Sequence, residues 1–247
     1  MKTILEVCCG SYGDVLAAKA GGGDRVELNS ALSAGGLTPG MGMFMKAKTC
    51  GLPIICMVRP RGSGFQYDQQ DQETMFAEAE LFLKQDAAGI AFGFLHADFT
   101  IDVEASGRMI NLIHTYGKTA VFHRAFDCLN DMEEGIKQLI SLGADRVLTS
   151  GLCATAEHGI DHLRYLQAQY GAQIEILAGG GVRPCNAALI LQKTGVCQLH
   201  SSCKTYFHDP TGENNGISYA TYKDGAYEVV DQNQVRELKK EMERTEK

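Results

Sequence analysis

The chain has 247 residues, 45% of them hydrophobic, and its 23 basic and 30 acidic side chains give a net charge of −7. No basic stretch outlasts a helix terminus, which excludes nucleic acid as a partner, and no run approaches the roughly 20 apolar residues of a membrane helix. The opening Met-Lys-Thr-Ile-Leu-Glu-Val is too short an apolar run for a secretory leader, and it holds Glu6. Nine cysteines without such a leader read as reduced thiols, so the expected location is the cytoplasm.

Eight apolar, strand-like runs follow in chain order, at residues 4–8, 25–29, 54–59, 89–95, 119–124, 146–150, 174–179 and 196–201. Their starts lie 21 to 35 residues apart, the size of a βα repeat. Helical patterns lie between them. Met75, Phe76, Ala79, Phe82 and Leu83 form one stripe at helical period. Asp102 suits the N-cap of a helix over 103–116. Asp131 suits the cap of a helix carrying Ile136, Leu139 and Ile140, with Gly143 just past its end. Pro184 fits the first turn of a helix over 185–193. Residues 204–227 are long, polar and rich in Asn, Gly and Tyr, which predicts a loop over a site or at a subunit contact. A charged helix over about 231–246, with Val235, Leu238 and Met242 on one side, closes the chain.

Eight strands alternating with helices predict a (β/α)8 barrel of the TIM type, one domain over residues 1–247, since such barrels need about 250 residues. A doubly wound sheet is the runner-up. It usually carries a Gly-rich dinucleotide turn after strand one, and here that strand ends in Cys8-Cys9-Gly10-Ser11.

Alternation along each strand sorts inward from outward side chains. Val26 and Leu28 meet the helices, so Arg25, Glu27 and Asn29 point inward. The same logic turns Glu6, Cys8, His123, Gln198 and His200 inward. Active sites of these barrels lie at the C-terminal strand ends, and a buried charge there needs a cavity or a partner. Glu6, Glu27, His123, Asp127 and His200 are therefore candidate acid–base groups. For any single one, a structural ion network with Arg25 or Arg59 is about as plausible a reading; convergence from many strands favours a site.

Anion binding is predicted around Ala178-Gly179-Gly180-Gly181-Val182-Arg183-Pro184, where glycine amides and a helix start can face a phosphate. Gly180, Gly181 and Ser201 are the expected cradle, to which Ser202 could add a hydroxyl, with Arg59, Arg61, Arg124 and Ser150 as further anion-binding groups. Metal binding has weaker support, because no zinc-type ligand spacing occurs. Cys8 is the named ligand, with Met57 and His123 as further soft or borderline donors for Cu(I); Cys153 and Cys203 are looser candidates.

The runs Leu5-Glu6-Val7-Cys8, Asp24-Arg25-Val26-Glu27-Leu28, Gly35-Gly36-Leu37-Thr38-Pro39, Arg59-Pro60-Arg61-Gly62, Phe122-His123-Arg124-Ala125-Phe126-Asp127, Arg146-Val147-Leu148-Thr149-Ser150-Gly151 and Ala178-Gly179-Gly180-Gly181-Val182 together resemble the CutC family of copper homeostasis proteins. The resemblance spans the chain to about Lys204 and implies a TIM-type barrel and a cytosolic role in copper tolerance or trafficking. It also implies copper ligation by cysteines ending strands one and two. Cys8 matches the first; Asn29 stands where the second is often found, and Gly64 replaces the usual acidic residue after strand three.

Two functions are thus expected of the barrel mouth: copper binding through Cys8, or lyase or isomerase chemistry on a small anionic, possibly phosphorylated, metabolite. A non-catalytic scaffold is the third reading. The expected partners are a small anionic ligand or a copper ion, with the chain forming a homo-oligomer, for instance a homodimer.

Overall fold

The computed structural model describes residues 2–222 and 225–245. The eight apolar runs become eight parallel strands: β1 (Ile4–Cys9), β2 (Arg25–Leu28), β3 (Ile54–Met57), β4 (Gly89–Phe92), β5 (Thr119–Phe122), β6 (Arg146–Thr149), β7 (Glu175–Gly179) and β8 (Gln198–Ser201). They pair in sequence order, and β8 pairs back onto β1, which closes the barrel. Around it lie α1 (Tyr12–Gly21), α2 (Met41–Lys48), α3 (Gln69–Lys84), α4 (Val103–Thr115), α5 (Met132–Leu142), α6 (Ile160–Tyr170), α7 (Pro184–Thr194) and α8 (Gln232–Thr245). The caps are those expected: Asp102 accepts from the Ala105 amide, Asp131 from the Glu133 and Glu134 amides, and Gly143 ends α5 at φ 82°. Residue 246 of the predicted last helix lies outside the described residues.

Several strands stop short of their predicted ends, and each stop has a local cause. The Arg59 amide turns to Thr38 Oγ1 at 3.0 Å instead of joining a ladder. His123 leaves β5 to cap the short 3-10 turn Arg124–Cys128, its Nδ1 accepting from the Ala125 amide at 3.1 Å. Asn29, Arg59, His123 and Ser150 therefore stand just beyond strands, at the C-terminal mouth.

The segment 204–227 differs from its prediction as a loop. It opens with β9 (Lys204–His208), runs through a small hairpin of β10 (Glu213–Asn214) and β11 (Ile217–Ser218), and returns as β12 (Ala226–Val230), antiparallel to β9. Residues 223 and 224 lie outside the described residues. The Val230 amide, donating to Asp14 Oδ1 at 2.8 Å, ties this ribbon to α1.

Outward side chains such as Leu5, Val7, Val26, Leu28, Ile90, Phe92, Phe122 and Val147 make the core between sheet and helices. The barrel interior is split. β3, β4 and β5 fill one side with Ile55, Met57, Ala91 and Val121. β1, β2 and β8 fill the other with buried Glu6, Arg25, Glu27, Gln198 and His200. No helix among the described residues is long and apolar enough to cross a membrane.

Candidate functional site at the barrel mouth

The polar half of the interior has two levels. At the lower one, Glu6 is fully engaged. Its Oε2 accepts from Arg25 Nε at 2.5 Å and its Oε1 from His200 Nδ1 at 2.9 Å. Arg25 also donates to Gln198 Oε1 at 2.8 Å. Burial pushes the Glu6 carboxyl up, but the His200 hydrogen bond and the charges of Arg25, His200 and Arg146 outweigh it and hold it at about 2. Glu6 is thus the structural ion partner of Arg25, and it orients His200. Because a carboxylate only accepts, His200 Nδ1 carries a hydrogen and its Nε2 is turned toward the mouth.

One level up, His200 Nε2 lies 3.9 Å from Glu27 Oε2. Cys8 Sγ lies 3.8 Å from the same oxygen. The Asn29 amide donates to Glu27 Oε2 at 2.9 Å and to Cys8 Sγ at 3.5 Å. Burial raises the Glu27 carboxyl, and nearby Glu6 adds to it, against the lowering pull of His200 and the bond from Asn29. Burial, then Glu27, push the Cys8 thiol well above the ordinary thiol range, so it is an inert thiol until something takes its proton. His200 moves the other way: burial lowers it, but Glu27 and Glu6 outweigh burial and raise it.

These groups line a chamber of about 120 Å³ together with Asn29, Met57, Arg59, Phe65, His123 and Leu148. Seven buried side-chain polar atoms lack a partner among the described residues, and four belong to this chamber: Glu27 Oε1, Asn29 Oδ1, Arg59 Nε and His123 Nε2. Orphaned buried polar atoms are costly, and their concentration in one small space points to a ligand. Burial, with Arg59 nearby, lowers His123 to about 3, so its imidazole is neutral. With Nδ1 accepting from Ala125, the ring proton sits on Nε2, an unused donor facing the chamber.

The remaining predicted residues divide. Asp127 accepts from Thr149, Ser150, Leu152 and Arg124, so it clamps the loops after β5 and β6 and has no capacity left for proton transfer. Ser150 Oγ meets Asp127, Arg124 and the Cys153 carbonyl. Arg59 spends its terminal nitrogens on the carbonyls of Ala34, Gly36 and Ser63 and so organises loops rather than presenting a fork to an anion. Arg61 points away, half-exposed, to Asp71 at 2.8 Å with Tyr67 under its guanidinium. Ser201 donates to the Val182 carbonyl at 2.7 Å, so its hydroxyl braces the Gly180 loop from behind. Cys9 faces the helices, as alternation requires. Cys203 Sγ sits against Ser201 Oγ at 3.5 Å.

A second, wider space of about 600 Å³ opens above the chamber and shares Cys8, Arg124 and His200 with it. Gly180, Gly181, Arg183, Ser202 and Lys204 line it. Ser202 was expected beside Ser201; Arg183 and Lys204 were not singled out in the sequence. Arg183 follows the glycine run after Val182, a signal that was available; Lys204 arrives only because β9 folds over the mouth.

Comparison with known proteins places this geometry. The model of the CutC family matches residues 3–205. A Treponema denticola protein named family protein CutC is 40% identical over 221 residues, which is 89% of each chain. The chain belongs to the CutC family. A Bacteroides thetaiotaomicron CutC is also 40% identical, over 204 residues covering 81% of this chain and 80% of its own. Among solved structures, a candidate copper homeostasis protein CutC from Streptococcus agalactiae superposes with a TM-score of 0.76 at 30% identity, covering 81% of this chain and 98% of that one. The family match stops at residue 205, so α8 and all of the β9–β12 ribbon but its first two residues lie outside it.

Proposed function

We propose that this CutC-family chain binds one Cu(I) ion at the barrel mouth, through Cys8 Sγ, His200 Nε2 and a Glu27 oxygen. The observation that carries the reading is the convergence of the three donors, whose ligand atoms all lie within 4.8 Å of one another. Thiolate and imidazole suit Cu(I), and the Met57 thioether lines the same chamber. Glu6 on His200 Nδ1 is the outer carboxylate that fixes a ligating imidazole. Asn29, where the family resemblance expects a second cysteine, donates to Cys8 Sγ and so stabilises the thiolate that the ion creates. A cation would also engage the orphaned Glu27 Oε1. Binding displaces the Cys8 proton, so it releases acid and tightens as pH rises.

The test is Cu(I) competition against a chromogenic chelator. The wild-type chain is expected to take up one equivalent, and Cys8→Ser to weaken it by about 100-fold or more. Unchanged affinity in Cys8→Ser removes the reading. A preference for Zn²⁺ over Cu(I) in the same titration reassigns the centre to zinc, which the Glu27 oxygen also suits.

A further inference from the structure

The wide space above the chamber has a composition that the copper reading does not use. In a chain of net charge −7, its lining contains Arg124, Arg183 and Lys204 and no aspartate or glutamate. Clefts lined by one sign of charge concentrate ligands of the other. Lys204 is held by Glu228 on the neighbouring β12 strand, and Arg124 is half engaged by Asp127 and Ser150. Arg183 is exposed and enters no ion pair among the described residues. In the loop that carries Arg183, the amides of Gly180, Gly181 and Val182 find no acceptor among the described residues. Gly180 and Gly181 have φ of 99° and 72°, a backbone that only glycine adopts freely. A Cβ on Gly180 would stand 3.3 Å from Arg124 Nη1, so the guanidinium and the amide loop adjoin directly.

We infer that this space is a binding site for a phosphate group, taken from a small phosphate monoester. Three free amides, the unspent face of Arg124 and the free guanidinium of Arg183 supply directional donors to a tetrahedral dianion. The narrow chamber continues from it past Cys8 and His200. That continuity favours an ester, whose organic part has somewhere to go, over free phosphate. The groups it rests on, the Gly180 loop amides, Arg124 and Arg183, differ from the three proposed copper donors, although the two spaces share Cys8 and His200.

The experiment uses the full chain after treatment with a Cu(I) chelator and EDTA. Inorganic phosphate and glycerol phosphate are titrated by isothermal calorimetry, with sulfate and chloride at matched ionic strength as controls. Saturable binding of glycerol phosphate is expected, and Arg183→Gln is expected to weaken it by about tenfold, the loss of one charge-assisted hydrogen bond. Circular dichroism and the urea midpoint of Arg183→Gln verify folding; if that variant is perturbed, Ser202→Ala, expected to weaken binding severalfold, replaces it. Tighter binding of glycerol phosphate than of inorganic phosphate supports the ester as ligand, and the reverse order assigns the site to free phosphate. Four results overturn the inference: no saturable binding by the wild-type chain, equal binding by folded Arg183→Gln, equal binding of chloride, or binding that appears only when copper is restored.

Discussion

Glu6 and Glu27 sit on neighbouring strands inside one barrel and meet opposite surroundings. Glu6 has Arg25 at 2.5 Å on one oxygen and His200 at 2.9 Å on the other, and stays ionised down to about pH 2. Glu27 shares His200 at a longer 3.9 Å, receives one neutral amide, keeps Oε1 without a partner, and is raised. Desolvation acts on both; only Glu6 has a close, permanent guanidinium to offset it. The lower level is thus assembled for stability, and the upper level is left electrostatically incomplete. A site that must accept a cation has to keep such a deficit in the absence of its ligand.

Glu6→Gln breaks this contrast from its stable side and carries the largest expected effect. It leaves Arg25 buried without its counter-charge and turns one of the two acceptor oxygens into an N–H donor, so Arg25 and His200 no longer both find an acceptor. Loss of one partner of a buried pair typically costs about 3–5 kcal/mol, so the urea midpoint is expected to fall accordingly. A loss below 1 kcal/mol would mean that Glu6 is no more satisfied than Glu27.

Much of this arrangement was legible in the sequence, and the reason is alternation. Eight runs of the right spacing, with side chains alternating between helix and interior, placed Glu6, Cys8, Glu27, His123 and His200 inside the barrel and Cys9 outside it. What alternation leaves open is who pairs with whom. Arg59 faces the chamber as expected, yet its Nη1 is consumed by the carbonyls of Ala34 and Gly36, which the pairing of β2 with β3 brings within reach, and its Nη2 by Ser63. Arg61 follows the strand by two residues, where period-two reasoning no longer applies, and it leaves for Asp71. The ribbon at 204–227 escaped for a similar reason. Its pairing of Thr205 with Val229 is set by residues 24 apart, and neither strand has a buried face to give it a hydrophobic pattern.

Acidification separates the two levels by window. His123 has a pKa of about 3 in the folded chain against an ordinary 6.5. Between those values the unfolded chain binds a proton that the folded chain does not. Stability therefore falls as pH drops from 6.5, by up to about 1.4 kcal/mol per pH unit. Glu6, at about 2 against 4.5, acts with the same sign but only below 4.5. His200, being raised, acts in the opposite direction and loses its contribution as pH rises through its folded value. Glu27 and Glu78, both raised above 4.5, act with the opposite sign to His123 in the part of this window just above 4.5, so the fall in stability between pH 6.5 and 4.5 is assigned to His123. His123→Phe, which keeps the ring packing on Phe65, is expected to flatten that part of the urea-midpoint profile and leave the steeper fall below pH 4.5. A profile that His123→Phe leaves unchanged would show that His123 protonates as readily in the fold as outside it.

Glu27→Gln tests the other half of the contrast and is expected to change stability least. Removing a carboxylate whose charge the fold disfavours relieves a desolvation cost. The amide oxygen that replaces it still accepts from Asn29, and its new N–H can turn toward the space that Glu27 Oε1 leaves unpartnered. Against this stands the loss of one attraction to His200, at 3.9 Å and shared with Glu6. The two changes nearly cancel, so the urea midpoint should move by less than about 1 kcal/mol in either direction. Cu(I) affinity should nevertheless fall by about tenfold. Affinity that falls in this variant while stability holds, set against the large loss of stability in Glu6→Gln, distinguishes a ligand-binding carboxylate from a structural one on adjacent strands. A destabilisation as large as that of Glu6→Gln would instead make Glu27 a member of the same structural network and remove the ground for placing a cation beside it.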